Sequence, residues 1–80
     1  MDERALARLR DTNGQTGALA LKNLREALTY VTYADTLDRI VERAREIAAG
    51  SPRLRRQAEE LVREAQGRRK SAPARAQRQD

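Results

Sequence analysis

The sequence predicts an all-α protein, a small helical hairpin or three-helix unit that carries a basic tail. Apolar residues recur at spacings of three and four through most of the 80-residue chain, which is the period of one α-helix face. Clusters of turn-forming residues at 11–17 and 50–52 interrupt this pattern. A chain of this length holds one domain. We therefore expect a helical domain at 1–66 and a basic flexible tail at 67–80.

The first predicted element is a short N-terminal helix over residues 2–10. Asp2 and Glu3 suit the positive N-terminal end of a helix dipole. Leu6 and Leu9 fall on one face of this helix because they are three residues apart. So short a helix is marginal in isolation, and we expect it to pack on the rest of the chain.

Residues 11–17 form the first predicted loop. Asn13-Gly14 and Gly17 are typical of turns. A glycine-bearing loop in front of a helix can also bind phosphate. This loop, however, lacks the Lys-Ser/Thr pair of a P-loop and follows no predicted strand. We therefore favour an ordinary connector.

A long central helix is predicted from residue 18 to residue 49. Its apolar residues form two sets that do not share one heptad register. The helix is therefore either continuous with a shifted apolar face or broken near 34–35. Asp35 is a suitable cap for a new helix, but no Gly or Pro enforces a break there. We favour a helix that is continuous or merely kinked.

A C-terminal helix is predicted over residues 52–66. Gly50 suits the end of the preceding helix, and Ser51 and Pro52 suit the start of the next one. So short a connection predicts an antiparallel hairpin or a sharp corner. Gly67 is predicted to end this helix, and the polar, basic residues beyond it are expected to be disordered without a partner.

The net charge of +5 is concentrated toward the C-terminal end of the sequence. Eight basic and eight acidic side chains cancel in residues 1–50. Residues 51–66 add a net charge of +1, and residues 67–80 add +4. A flexible cluster of positive charge attracts the phosphate backbone of nucleic acid without reading its sequence. The tail is therefore the strongest functional signal.

We expect DNA or RNA backbone to contact this tail and the arginines at the start of the C-terminal helix. The candidate contacts are Arg53, Arg55, Arg56, Arg68, Arg69, Lys70, Arg75 and Arg78. A helix-turn-helix that reads DNA sequence is a weaker interpretation, because the turn is tight and three glutamates follow on the same helix. The two aromatic residues of the chain are too few for base stacking on single strands.

A protein partner is the second functional expectation, because so short a chain builds only a small core. Cys and His are both absent, which removes disulfides and the commonest metal ligands as means of stabilisation. We therefore expect a homo-oligomer, or docking onto a larger protein, through the apolar face of the central helix. The predicted interface residues are Leu21, Leu24, Leu28, Tyr30, Val31, Tyr33, Leu37, Ile40 and Ile47.

Catalysis, metals and cofactors are not expected. Without Cys and His, the chain has no thiolate nucleophile and no side chain whose ordinary pKa lies near neutrality. One predicted helix face carries a row of carboxylates, namely Asp35, Asp38, Glu42 and Glu46. Arginines lie beside this row, so a solvated, ion-paired face is favoured over a metal site.

The sequence also suggests where the protein works. No apolar stretch is long enough to span a membrane, and no secretory segment follows the acidic N-terminus. We therefore expect a cytoplasmic protein with no membrane partner. Its composition, with fifteen Arg against two Lys, suggests a bacterial or phage origin.

Two functional hypotheses follow. The first is a non-enzymatic helical module that self-associates and binds nucleic-acid backbone through its basic tail. The second is a protein-interaction subunit, such as a regulator, an antitoxin-like inhibitor or a phage-type assembly component, whose apolar helix face docks onto a larger protein. Salt-sensitive binding to any duplex would favour the first hypothesis. An apolar face that stays exposed would favour the second.

Overall fold

The computed structural model describes residues 2–73, and this part of the chain contains four α-helices and no strand. The helices are α1 (Glu3–Asp11), α2 (Gly17–Tyr30), α3 (Ala34–Gly50) and α4 (Arg55–Arg69). Short 3-10 turns at Thr12–Gly14 and Pro52–Leu54 precede α2 and α4. The prediction of a small all-α unit is confirmed. In residues 2–73 no helix combines the length and the apolar character needed to cross a membrane.

Helices α1 and α2 form one antiparallel hairpin. At the start of α1, the guanidinium of Arg4 lies over the ring of Tyr30 at the end of α2, 5.7 Å from the ring centroid. Farther along α1, Arg8 pairs with Glu26 at 3.5 Å between Nε and Oε1. These contacts bring the start of α1 to the end of α2.

Helices α3 and α4 form a second antiparallel hairpin. Arg69 at the end of α4 binds Asp38 in the first turns of α3, and the short turn at 51–54 joins the opposite ends. The two helices therefore run side by side along their whole length. A DNA-reading helix-turn-helix instead sets its two helices at about 90–120°, so this pair does not form that motif.

The core lies between the two hairpins and is rich in small side chains. Its largest fully buried residues are Leu24, Leu28, Leu37, Ile40 and Leu61. Seven alanines are buried beside them, namely Ala5, Ala20, Ala27, Ala34, Ala44, Ala58 and Ala65. Small side chains at these contacts let the helices approach closely, so a short chain still builds a continuous core.

This core corrects the predicted intermolecular interface. Seven of the nine predicted interface residues are at most 6% exposed within the single chain; they are Leu21, Leu24, Leu28, Val31, Leu37, Ile40 and Ile47. They pack inside the chain because α2 and α3 fold against each other and against the other two helices. Tyr30 is 41% exposed, and Tyr33 is half-buried.

The prediction of a continuous or merely kinked central helix is also wrong. Helix α2 ends at Tyr30 and α3 begins at Ala34, and Val31 and Tyr33 between them have extended backbone. We call residues 31–33 the joint. The β-branched Val31 and Thr32 lower helix propensity at the joint. Contacts with residues far away in the sequence also stabilise the break between α2 and α3.

Three groups bind the backbone around the joint. The Asp2 carboxylate, only 2% exposed, accepts hydrogen bonds from the N–H groups of Thr32 and Tyr33 at 2.8 and 3.0 Å. The Ala34 N–H donates to the Pro73 carbonyl at 2.7 Å. Arg68 binds the carbonyls at the end of α2. A break in a helix exposes backbone groups that must be satisfied, and Asp2, Arg68 and Pro73 bind several of them here.

The last helix extends beyond its predicted end. Helix α4 continues through Gly67 to Arg69, and the N–H groups of Ser71 and Ala72 continue its turn by binding the carbonyls of Arg68 and Arg69 at 3.2 Å. Ala72 packs partly on the core. The predicted stop at Gly67 is wrong because the following residues make tertiary contacts. The basic segment predicted at 67–80 therefore begins with residues that the body of the protein holds.

Candidate nucleic-acid interface

The predicted nucleic-acid contacts separate into different environments. Arg53, Arg55 and Arg56 are exposed at the start of α4, and Lys70 is exposed just after its end. Arg68 and Arg69 take part in contacts within the chain. The predicted contacts Arg75 and Arg78 lie outside the described residues.

Arg68 closes the C-terminal end of α2. Its Nη1 donates a hydrogen bond to the Leu28 carbonyl, and its Nη2 donates to the Val31 carbonyl at 3.0 Å. The last carbonyls of a helix have no partner within the helix and carry the negative end of its dipole. The half-buried guanidinium of Arg68 supplies both the missing hydrogen-bond donors and a positive charge at this end of α2. Arg68 therefore has a structural role.

Arg69 forms a two-pronged ion pair with Asp38. Its Nε and Nη2 donate to the two carboxylate oxygens at 2.7 and 3.1 Å. The hydrogen bond from Arg69 holds the pKa of Asp38 below its usual value, and the charge of Arg69 acts in the same direction. Slight burial of Asp38 opposes both effects. Because both side chains are about half exposed, the pair adds little to stability.

The three arginines at the start of α4 are exposed. Arg55 contacts Glu59 at 3.3 Å, but its side chain is 73% exposed. Such a surface pair contributes about 0–1 kcal/mol, so a phosphate can replace the carboxylate. Arg53 and Arg56 form no ion pair with any other residue of 2–73.

On one side of α4, Arg55 joins two other arginines in a shallow groove against α3. The groove has a volume of about 340 Å³ and is lined by Arg45, Ala48, Arg55, Glu59, Val62, Arg63 and Gln66. We call it the α3–α4 groove. Of the three glutamates expected to repel phosphate, only Glu59 lines it. Three guanidiniums and one carboxylate give the groove a local charge of +2.

On the other side of α4, a second surface joins the start of α2 to the turn at 50–54. Its cations are Lys22, Arg25 and Arg53. The two depressions that compose it share Ala18, and no carboxylate is among the described residues that line them. We call it the α2–turn surface. Both sides of α4 therefore carry cations, and the exposed Glu60 and Glu64 follow Gln57 on the same face of the helix.

Four of these cations were not singled out from the sequence. Arg63 could have been, because it lies eight residues after Arg55 and so falls near the same helix face. Arg45, Lys22 and Arg25 belong to other helices. Only the packing of α2 and α3 beside α4 brings them to this region.

The loop at 11–17 is held by hydrogen bonds from α3. Arg43 donates to the Thr12 hydroxyl at 3.0 Å and to the Thr12 and Gln15 carbonyls at 2.5 and 3.2 Å. Its guanidinium also pairs with Glu46 at 3.0 Å. Arg43 therefore ties this loop to α3, and the Glu46 carboxylate beside the loop disfavours a bound anion there.

The carboxylate row predicted on one helix face is partly paired with arginines. Asp38 and Glu46 of the carboxylate row are paired with Arg69 and Arg43. Across residues 2–73, no three acidic side chains converge as metal ligands would.

The region around the start of α4 can therefore attract an anionic ligand by electrostatic interaction. Its guanidinium and ammonium groups are donors suited to phosphate oxygens. Compared with protein-family models, with curated proteins and with solved structures, the chain matches none of them.

Proposed function

We propose that this protein is a non-enzymatic, cytoplasmic module that binds the sugar–phosphate backbone of nucleic acid through the cations around the start of α4. One observation carries the proposal: seven cations surround the part of this helix from Arg55 to Arg63, on the α3–α4 groove, on the α2–turn surface and between them. They are Lys22, Arg25, Arg45, Arg53, Arg55, Arg56 and Arg63. Glu59 is the single carboxylate that lines these two surfaces within residues 2–73.

The exposure of these cations supports the proposal. A cation that already binds carbonyls inside the fold, as Arg43 and Arg68 do, has few donors left for a ligand. Around the start of α4, the Arg55–Glu59 contact is the one ion pair formed among the described residues. Each phosphate that these cations neutralise releases condensed counterions, which is the main driving force of sequence-independent binding.

The basic C-terminal residues extend the same proposal. Lys70 is exposed, and Arg75 and Arg78 follow it in the sequence. These residues add positive charge to the proposed interface. They are less important to this proposal than the basic tail was to the hypothesis drawn from the sequence. Arg68 and Arg69 are left out because they bind groups within the chain.

The alternative, a protein-interaction subunit, ranks second. That hypothesis depended on the apolar face of the central helix. Most of its residues are buried within the chain, which supports placing nucleic-acid binding first. Leu19 and Tyr30 are the large apolar side chains exposed within residues 2–73, and single exposed residues of this kind are ordinary on a protein surface.

The test is a fluorescence-anisotropy titration of labelled duplex DNA and duplex RNA with the full chain at several salt concentrations. The variant Arg45→Gln/Arg63→Gln removes two cations from the α3–α4 groove. The variant Arg10→Gln/Arg39→Gln removes two exposed cations from other faces and is the matched control, since both variants have the same net charge. Far-ultraviolet circular dichroism checks that each variant is folded.

We expect salt-sensitive binding whose log–log slope becomes shallower by about 1.8 in the groove variant, because each lost contact removes about 0.9. The control should keep nearly the wild-type slope. A chain ending at Pro73 should retain most of the binding. Equal losses in the groove variant and the control would show that only net charge matters, and absence of binding at low salt would refute the proposal.

A further inference from the structure

The two cationic surfaces lie on roughly opposite sides of α4. Gln57 borders the α2–turn surface, whereas Glu59 borders the α3–α4 groove. Residues two positions apart are separated by about 200° around a helix, because each residue turns about 100°. A ligand that touches both surfaces must therefore span at least the width of α4, which is about 10–12 Å with its side chains.

A duplex offers phosphates at such a separation without bending. Its two strands present parallel rows of phosphates, and the major groove between them is about 12 Å wide in B-form DNA. A single strand would have to wrap around α4 to contact Arg45 and Arg63 on one side and Lys22 and Arg25 on the other. That ordering costs conformational entropy.

The chemistry of these surfaces also disfavours a single strand. Proteins that hold single strands stack the bases on aromatic rings, and no aromatic residue lines either surface. The two tyrosines lie at the other end of the molecule, beside the joint. The ring of Tyr30 faces Arg4, and Tyr33 is half-buried.

We propose that the preferred ligand is double-stranded nucleic acid, held by one phosphate row on the α3–α4 groove and the other on the α2–turn surface. This inference rests on the proposed function and specifies its substrate class. A duplex also carries a higher density of charge than a single strand, so each cation releases more counterions. The expected slope per contact is about 0.9 for duplex and about 0.7 for single strands.

The experiment compares one labelled DNA sequence of about 20 bases, single-stranded and annealed to its complement, over a range of salt concentrations. We expect the duplex to bind at least about fivefold more tightly at low salt and to show the steeper slope. Single-stranded binding that is equal or tighter would overturn the inference and leave the proposed function standing. Failure of both probes to bind would refute the proposed function.

A second arm tests whether both surfaces are used. Lys22→Gln/Arg25→Gln should weaken duplex binding about as much as Arg45→Gln/Arg63→Gln does. Both pairs should exceed the charge-matched control Arg10→Gln/Arg39→Gln. If only the groove variant loses affinity for the duplex, the two-sided arrangement is overturned.

Discussion

Helix α4 carries arginines at both ends, and the two ends use them differently. At its C-terminal end, Arg68 and Arg69 bind two carbonyls of the α2–joint segment and the carboxylate of Asp38. At its start, Arg53 and Arg56 project from the surface and form no ion pair within residues 2–73. The same residue type thus stabilises the fold at one end and remains available to a ligand at the other.

The difference follows from the acceptors that each end meets. At the joint, α2 stops and leaves backbone carbonyls that need a donor. At the turn before α4, the Ser51 N–H binds the Ile47 carbonyl and the Leu54 N–H binds the Ser51 carbonyl, both at 2.9 Å. Within residues 2–73, the side-chain partner of Arg55 is Glu59, and no arginine next to this turn donates to a backbone carbonyl.

The largest expected effect concerns the C-terminal end of α4, where arginines stabilise the fold. Replacement Arg68→Ala removes two charged hydrogen bonds from partly buried carbonyls, and we expect a loss of about 2–3 kcal/mol in the free energy of unfolding. Urea unfolding followed by circular dichroism measures it. Arg56→Ala on the same helix is the control and should change stability by less than about 0.5 kcal/mol. Similar losses in the two variants would break the distinction between the two ends.

The next largest effect concerns Asp2, whose carboxylate binds backbone N–H groups of the joint. Replacement Asp2→Ala removes the acceptor of the Thr32 and Tyr33 N–H groups. We expect a loss of about 2 kcal/mol, because the two donors lose a charged acceptor. Asp2→Asn keeps one oxygen and should recover part of this loss in the same urea experiment. An unchanged midpoint for Asp2→Ala would mean that the N-terminus does not stabilise the joint.

The smallest effect concerns the Asp38–Arg69 pair and depends on pH. The folded state lowers the pKa of Asp38 through its hydrogen bond with Arg69, so the charged pair stabilises the fold above the ordinary aspartate pKa of about 3.9. This contribution is lost as the pH falls through the lowered value. The melting temperature of wild type should slightly exceed that of Asp38→Asn at neutral pH.

That small difference should disappear as the pH falls through the lowered pKa of Asp38, because the carboxylate of the wild type is then also protonated. It should also shrink at high salt, because the pair is exposed to solvent. A difference that persists unchanged in acid would show that the pair acts through packing rather than charge.

Part of the candidate site was predictable from the sequence. Arg53, Arg55 and Arg56 were identified as candidate contacts at the start of a helix, because Ser51-Pro52 marks a helix start. Arg45 lies on α3, and Lys22 and Arg25 lie on α2. They were not identified, because nothing local indicates which helices pack beside α4. For the same reason Arg68 was assigned to a flexible tail rather than to the carbonyls of α2.

Local periodicity and turn chemistry were sufficient to predict the helical class, both ends of α1, the start of α2, the end of α3 and the residues that must be buried. Only the packing of the helices shows what covers the apolar face of α2 and α3. Leu21, Leu24 and Leu37 were expected to meet another chain, but a break at the joint lets α2 and α3 bury them within one chain. That break is stabilised by Asp2 and Arg68, which lie about 30 or more residues from their partners and which local propensity therefore does not reveal.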